Sequence, residues 1–311
     1  MREQNRVERN EKKQKELIKE EHREQRNKII KKVLKWTTII LVLIFSFLLY
    51  ARFVATEFLV VREYPIESST LPQEFHGFKV IQFSDLHYGS TIDLDDVKEL
   101  TNKINTLKPD LIVFTGDLID KNYTLSIEDQ TKLIEVLKTM SSTTGKYAVS
   151  GNHDQNADLF RTILEESGFK ILDNTYDLIY YKGYTPILIT GVSSSLLGEM
   201  NIDQAFSYLK QEQAIQNLYT VTLLHEPDNI DNILTNYHVD LALAGHSHNG
   251  QIRLPGIGSI ITVQGAKKYD EEFYQIGSTS LYISGGIGTS TYKYRLFNHP
   301  SINFFRLRHT S

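Results

Sequence analysis

The stretch KVIQFSDLH, residues 79–87, places polar side chains directly after a short apolar run. Six further apolar runs have the length of strands and occupy residues 110–115, 146–150, 186–191, 220–225, 239–245 and 281–286. Amphipathic stretches near residues 93–107, 127–140, 157–167 and 202–211 predict helices. Short strands that alternate with helices predict an α/β domain with largely parallel strand pairing.

Five of these predicted strands end in Asp, Asn or His. The side chains concerned are Asp85, His87, Asp117, Asn152, His225, His246 and His248. Ligands of open α/β sheets bind beyond the carboxyl ends of the strands, so we expect these side chains to converge. The last two stand in GHSHNGQ, residues 245–251, and taken alone they could be two ordinary loop histidines.

Seven oxygen and nitrogen donors are too many for one small dication and suit two, with one carboxylate shared between them. Imidazole and carboxylate without thiolate favour zinc, manganese or iron. The chain has no cysteine, which excludes thiolate ligands and disulfides. Two dications close together activate a water as a nucleophile and neutralise phosphoryl oxygens. We therefore expect two divalent ions and hydrolysis of a phosphoester by attack of water on phosphorus.

Five motifs resemble the signature of the calcineurin-like metallophosphoesterase superfamily, over about residues 77–298. They are Asp85-x-His87, Gly116-Asp117-x-x-Asp120, Gly151-Asn152-His153-Asp154, His225 and Gly245-His246-x-His248. The resemblance implies a four-layer α/β/β/α sandwich of two mixed β-sheets and a phosphoric ester hydrolase. A non-catalytic metal-binding protein is the alternative, although such a relative would be expected to have lost a ligand or His153.

The resemblance also implies a role for each motif residue. One metal would be held by Asp85, His87 and His248, the other by Asn152, His225 and His246, with Asp117 bridging them. His153 would face the substrate and protonate the leaving-group oxygen or stabilise its charge. Asp120 would pair with His153 and orient it. We expect Asp154 to cap the helix that follows it.

A narrower likeness is to the branch of this superfamily with an N-terminal membrane segment or signal. This likeness rests on four stretches: VIQFSDLHYG, LLHEPD, GHSHNGQIRLP and ISGGIGTSTYKYRLFNHP. This branch includes broad phosphatases and hydrolases of UDP-2,3-diacylglucosamine, which cut a pyrophosphate. The implied substrate is a small phosphoester or a phospholipid or nucleotide-sugar lipid. The sequence differs from many relatives of this branch at four positions, and these differences leave the substrate open: Ser247, Asn249, Tyr292 and Lys293.

Three further side chains could contact substrate phosphate: Gln251, Arg253 and Arg295. Arginine suits this role because its planar guanidinium matches oxyanions with two hydrogen bonds. Packing within a loop or on the surface is the alternative for each.

Charge is unevenly spread along the 311 residues. Residues 1–32 have a net charge of +5 and the remainder has −9. The acidic bulk argues against a nonspecific nucleic-acid partner, since such binding depends on neutralising phosphates. The composition leaves the oligomeric state open.

The N-terminal region contains WTTIILVLIFSFLLYA, residues 36–51, without a charge. Residues 33–55 predict a transmembrane signal-anchor helix, because about 20 residues cross the hydrocarbon core. A buried core helix and a cleaved signal peptide are the alternatives; against the latter, no A-x-A-like site follows. The basic excess before the span predicts a single-pass protein of the cell membrane, with residues 1–32 as a cytosolic tail. A stalk over residues 56–77 would lead to the catalytic domain, residues 78–311, outside the cytosol.

Overall fold

The computed structural model describes residues 2–215 and 217–311. The chain divides into two compact units, the first ending at Tyr50 and the second covering Ala51–Ser311. Helix α1, Arg2–Phe53, is 52 residues long and includes the charged tail and the apolar segment. The tail is therefore helical throughout its described part.

Among the described residues, α1 is the one helix that is long and apolar enough to cross a membrane. The qualifying span is Arg9–Phe53, whose most apolar window has a mean hydropathy of 2.1 and is not buried by the protein. A globular core helix would hide such side chains. Its place near the N-terminus fits a signal-anchor or a signal sequence.

The first β-sheet has six strands in the order β1-β14-β2-β3-β4-β5. They are β1, Val60–Ser68; β2, Lys79–Phe83; β3, Leu111–Phe114; β4, Gly145–Ala148; β5, Lys170–Ile171; and β14, Ser301–His309. β2 to β5 pair in parallel, β14 pairs antiparallel with β2, and β1 pairs in parallel with β14. The sheet is therefore mixed.

The second β-sheet has six strands in the order β12-β13-β9-β8-β7-β6. They are β6, Thr175–Ile179; β7, Ile187–Gly191; β8, Thr220–Leu223; β9, Leu241–Ala244; β12, Phe273–Ile276; and β13, Thr279–Ile283. The two edge pairs are antiparallel and the inner pairs are parallel. A small hairpin of β10, Arg253–Leu254, and β11, Gly258–Ser259, stands apart.

Three apolar cores separate the layers of this fold. Alternate strand residues point to opposite faces, so Val80 packs between the two sheets while Ile81 packs against the helices. Those helices are α2, Leu94–Leu107; α3, Ile127–Lys138; and α4, Ala157–Glu166. The outer face of the second sheet packs against α5, Ile202–Ala205, and α6, Ile230–Leu234. The predicted four-layer α/β/β/α sandwich is confirmed.

All seven predicted strands are present, and the helices agree except near residues 202–211. There α5 ends at Ala205, and a 3₁₀ helix covers Ser207–Lys210. Phe206 packs into the core under the second sheet, whereas Tyr208 packs with Leu188 and Leu218 in a separate cluster. These two side chains thus belong to different apolar clusters, and the segment is divided into two short helices.

The structure also differs from the predicted stalk over residues 56–77. β1 pairs with β14 along its whole length, from Val60 opposite Ser301 to Ser68 opposite His309. β1 contains Pro65, which is tolerated there because β1 is the edge strand of its sheet. The folded unit thus begins well before residue 78.

Candidate metal centre

The seven candidate metal ligands follow the ends of β2, β3, β4, β8 and β9. These five strands belong to both sheets, so the two sheets jointly bring together residues that lie far apart in sequence. Asn152 is half-buried and the other six side chains are buried.

The first cluster contains Asp85, His87 and His248, whose ligand atoms all lie within 4.8 Å of one another. Nε2 of His87 lies 3.2 Å from Nε2 of His248. Nε2 of His248 lies 3.4 Å from Oδ1 of Asp85. Two imidazole nitrogens and a carboxylate oxygen therefore face one point.

The second cluster contains Asp117, His225 and His246, again with ligand atoms within 4.8 Å of one another. Oδ1 of Asn152 joins them, 3.2 Å from Nε2 of His225. The seven candidate side chains thus lie in two neighbouring clusters.

Asp117 lies between the two clusters. Its Oδ2 is 3.6 Å from Nε2 of His87 in the first cluster and 3.3 Å from Nε2 of His225 in the second. Its Oδ1 accepts a hydrogen bond from the backbone N–H of His153 at 2.7 Å. This is the placement that a bridging carboxylate requires.

Backbone carbonyls fix the orientation of two histidine rings. Nδ1 of His225 lies 2.6 Å from the carbonyl oxygen of Thr115, so its Nε2 is left facing Asp117. Nε2 of His246 lies 2.7 Å from the carbonyl oxygen of Gln264, which leaves its Nδ1 for a ligand role. Such contacts select the ring tautomer and align the other nitrogen with a metal.

At two glycines the backbone lies close to side chains of the metal-ligand clusters. A Cβ atom on Gly245 would lie 2.1 Å from Oγ of Ser84 and 2.8 Å from Oδ2 of Asp85. A Cβ atom on Gly151 would lie 2.2 Å from Oδ1 of Asp117. No other residue fits at these positions without displacing a candidate ligand.

Burial and the neighbouring charges set the protonation of the ligands. Burial raises the pKa of Asp85 to about 7 and lowers the pKa of His87 to about 4. Burial also lowers the pKa of His248 well below its ordinary value. Burial opposes ionisation of Asp117 and His225 as well, but their attraction outweighs it, lowering the pKa of Asp117 and raising that of His225.

These residues fit a pair of divalent cations. Four imidazoles and two carboxylates are buried in the two clusters, and the Asp117 carboxylate lies between them. Nitrogen and carboxylate donors of this kind suit zinc, manganese or iron. The His87 imidazole is neutral at pH 7 and is therefore free to donate to a metal.

His153 and Asp120 lie beside the first cluster. Their ligand atoms and those of His87 lie within 4.8 Å of one another. The expected hydrogen bond between them is not formed, because Nδ1 of His153 has no partner in the described residues, and Oδ1 of Asp120 accepts from the backbone N–H of Asn122.

Asp154 does not cap the helix that follows it, and that prediction is wrong. Asn156 caps α4, since its Oδ1 accepts from the N–H of Leu159. The buried carboxylate of Asp154 instead accepts from the N–H groups of Asp117 and Gly151 at 2.8 Å and of Leu118 at 2.9 Å. Motif position alone could not distinguish these roles, because both use a backbone N–H as the donor.

Of the three candidate phosphate contacts, Gln251 alone lines the metal-ligand cleft. Its Nε2 donates to the carbonyl oxygen of Tyr294 at 2.9 Å, and so holds the loop of residues 290–294. Arg253 pairs with Glu271 and donates to the carbonyl oxygen of Asn249, outside the cleft.

Arg295 has the loop-packing role that was the alternative for it. It is completely buried, and its guanidinium donates to the carbonyl oxygens of Gly285 at 2.7 Å, Gly286 at 3.0 Å and Gly288 at 2.5 Å. Burial lowers the pKa of Arg295 to about 9. The placement leaves no room for the expected substrate contact.

One wall of the metal-ligand cleft is apolar, which the sequence did not reveal. The cleft has a volume of about 270 Å³, and Asp117, Asn152, His153, His246 and His248 line its polar side. Leu196, Ile252, Ile261, Val263 and Tyr292 line the other. Leu196, Ile261 and Val263 are 38–43% exposed there. The cleft thus combines candidate metal ligands with an apolar surface.

Several known proteins are similar to this chain. An uncharacterized metallophosphoesterase of Bacillus subtilis (strain 168), YkuE, is 35% identical over 84% of this chain and 90% of its own length. A UDP-2,3-diacylglucosamine pyrophosphatase of Chlamydia muridarum is 25% identical over 76% of this chain and 86% of its own. Among solved structures, a dimetal phosphatase from Danio rerio covers 68% of this chain and 88% of its own, with a TM-score of 0.39 and 12% identity. The model of the calcineurin-like phosphoesterase family matches residues 78–250, and the chain belongs to that family of phosphoric ester hydrolases.

Proposed function

We propose that this protein is a dinuclear-metal-dependent phosphoester hydrolase in which a water attacks phosphorus. The placement of Asp117 carries the proposal, because one carboxylate lies within 3.6 Å of a histidine nitrogen from each of two ligand clusters. A structural metal site would have no need of a solvent-accessible cleft, and four of the candidate ligands line one: Asp117, Asn152, His246 and His248.

When bound, the two dications would activate a water and neutralise charge on the phosphoryl oxygens. Asp85, His87 and His248 would hold one ion; Asn152, His225 and His246 would hold the other; Asp117 would bridge them. His153 lines the cleft, and we assign it protonation of the leaving-group oxygen. Asp120 would support His153 electrostatically, since it lies nearby without a hydrogen bond to it.

The full chain in detergent, supplied with Mn²⁺, Zn²⁺ or Fe²⁺, should hydrolyse bis(4-nitrophenyl) phosphate or 4-nitrophenyl phosphate. Asp117→Asn should lose both metal and turnover, because it removes the charge shared by the two clusters. Asp95→Asn is the matched control, since its exposed side chain lies on α2. Absence of turnover with every metal, in protein shown to contain metal, would favour the non-catalytic alternative.

A lipid-linked pyrophosphate is the second candidate substrate, and the apolar wall of the cleft favours it. Leu196, Ile261 and Val263 offer exposed apolar surface next to the candidate metal ligands. When an acyl chain covers such a surface, apolar area is removed from water, and this favours binding. UDP-2,3-diacylglucosamine should then be cleaved with a higher kcat/KM than UDP-N-acetylglucosamine. Equal values for the two, or a preference for the sugar without acyl chains, would exclude this candidate.

We further propose that α1 tethers the protein as a single-pass membrane protein, with the tail in the cytosol and the catalytic domain outside. The uncharged segment and the basic residues before it support this orientation. Protease added to intact cells should digest the domain and spare the tail. Protection of the domain, or recovery of a chain that begins near residue 55, would contradict the tether.

A further inference from the structure

A second cavity of about 250 Å³ adjoins the metal-ligand cleft. The two share Ser290 and Thr291 in their linings, so they are neighbours on one surface. Asp120 also lines the second cavity and belongs to the group formed with His87 and His153. A substrate bound at the candidate metal ligands could therefore extend into this second cavity.

Two lysines line this second cavity, Lys121 and Lys293. They stand out because the chain beyond residue 32 has a net charge of −9. Neither belongs to an ion pair among the described residues. Nζ of Lys293 donates to the carbonyl oxygen of Ser90 at 3.2 Å, which holds the ammonium at the cavity edge.

The cavity also offers an unpaired hydroxyl. Oγ of Ser90 is buried and has no hydrogen-bond partner among the described residues, although Ser90 lines the cavity. A buried hydroxyl without a partner is costly, and a ligand oxygen would satisfy it. Two ammonium groups with an uncommitted hydroxyl are suited to an anion with several oxygens.

The one carboxylate in the lining, that of Asp120, does not cancel this preference. Its Oδ1 accepts from the backbone N–H of Asn122 at 2.9 Å, and its oxygens lie with the imidazoles of His87 and His153. Its charge is thus engaged with groups of the chain, whereas the two lysines lack a carboxylate partner.

We infer that Lys121, Lys293 and Ser90 form a binding site for a second anionic group of the substrate, of the phosphate or phosphonate class, beside the phosphorus that is hydrolysed. The inference rests on the proposed hydrolase function and names its substrate class: phosphodiesters or pyrophosphates with another phosphate on one arm. The scissile phosphoryl group belongs at the metal ligands, so the second cavity serves a different part of the same molecule.

The test uses 4-nitrophenyl alkyl phosphates whose ethyl, propyl or butyl arm ends in either a phosphonate or a methyl group. For at least one arm length, the full-length protein in detergent should prefer the phosphonate by about tenfold in kcat/KM, equivalent to about 1.4 kcal/mol. The preference should fall as ionic strength rises, because solvent-exposed charges are screened by salt.

The double variant K121A/K293A should lose the preference and keep its kcat/KM for bis(4-nitrophenyl) phosphate, which has no second anionic group. K121R/K293R should retain much of the preference, because arginine keeps the charge. K98A/K103A is the control for net charge, since both of its lysines are exposed on α2.

The inference would be overturned if the phosphonate and methyl esters had equal kcat/KM at every arm length. It would also be overturned if the preference for the phosphonate survived in K121A/K293A. In either case turnover of bis(4-nitrophenyl) phosphate would leave the hydrolase function standing. If the wild-type protein hydrolysed none of these esters with any metal, the hydrolase function and the inference would fall together.

Discussion

Replacing Asp154 by asparagine should weaken the metal centre without touching a candidate ligand. The carboxylate accepts three backbone N–H groups: Oδ2 accepts from Asp117 and Gly151, and Oδ1 accepts from Leu118. Asparagine keeps one oxygen and turns the other into a donor, so at least one buried N–H loses its acceptor. The segments that contain Asp117 and Asn152 would then be held less firmly.

The magnitude follows from the three bonds. Burial and the neighbouring Asp117 charge raise the pKa of Asp154 to about 7, so the comparison is made at pH 8.5, where this carboxyl is ionised. A hydrogen bond to a charged group contributes about 1.5–3 kcal/mol, and asparagine removes one such bond and the charge from the others. We expect D154N to lose about 3 kcal/mol of folding free energy in the metal-free protein. Metal affinity should fall by about 10–100-fold, as is usual when groups that orient metal ligands are replaced.

Urea unfolding followed by near-ultraviolet circular dichroism measures the first effect, because the single tryptophan, Trp36, lies in α1 and does not report on the catalytic domain. Calorimetric metal titration measures the second. Asp173→Asn is the matched control, since Oδ1 of Asp173 accepts the N–H of Ser150 from the same loop but from no candidate ligand. If D154N matched D173N in metal affinity, the reasoning about Asp154 would be refuted.

Three further substitutions test other parts of the structure. His153→Ala should keep its metal content and lose about 10²–10⁴-fold in kcat, because a proton donor is removed; full activity would exclude the proposed role. Gly245→Ala should lose about 1–3 kcal/mol of stability together with metal, since its Cβ would lie 2.1 Å from Oγ of Ser84; wild-type metal content would contradict this. Lys146→Met tests pH dependence: burial lowers the pKa of Lys146 to about 8, so the unfolded chain binds more protons from there to about 10.5, and wild-type stability should rise across that range. The wild-type rise should be about 1 kcal/mol, because the group is half-exposed, and the variant should lack it. If each protein unfolded identically at pH 7 and pH 10, the expected role of Lys146 would be excluded.

The strands could be predicted because both faces of each inner strand are buried. β3 and β9 read as continuous apolar runs, which no surface loop would sustain. The convergence of the candidate ligands then followed from parallel pairing, since it places the carboxyl ends of neighbouring strands at one edge.

Features that depend on distant parts of the chain could not be predicted. β1 is held by β14, more than 200 residues away, and no local pattern identifies that partner. Arg295 looks like a surface cation in sequence, yet three glycine carbonyls surround it in the interior. The apolar wall of the cleft is likewise assembled from three separate loops, around Leu196, Ile261 and Tyr292.

The backbone itself marks the metal centre independently of the motifs. Twelve non-glycine residues in the described part of the chain have positive φ, and five of them are candidate ligands: Asp85, His87, Asp117, His246 and His248. Histidine and aspartate accept this conformation more readily than most residues, but it still costs free energy relative to ordinary backbone. A chain selected for stability alone would place glycine at such positions. Because each of these turns carries a donor atom toward one of two clusters, the retained strain is explained by the need to hold those donors, and a chain that no longer bound metal would lose the reason for it.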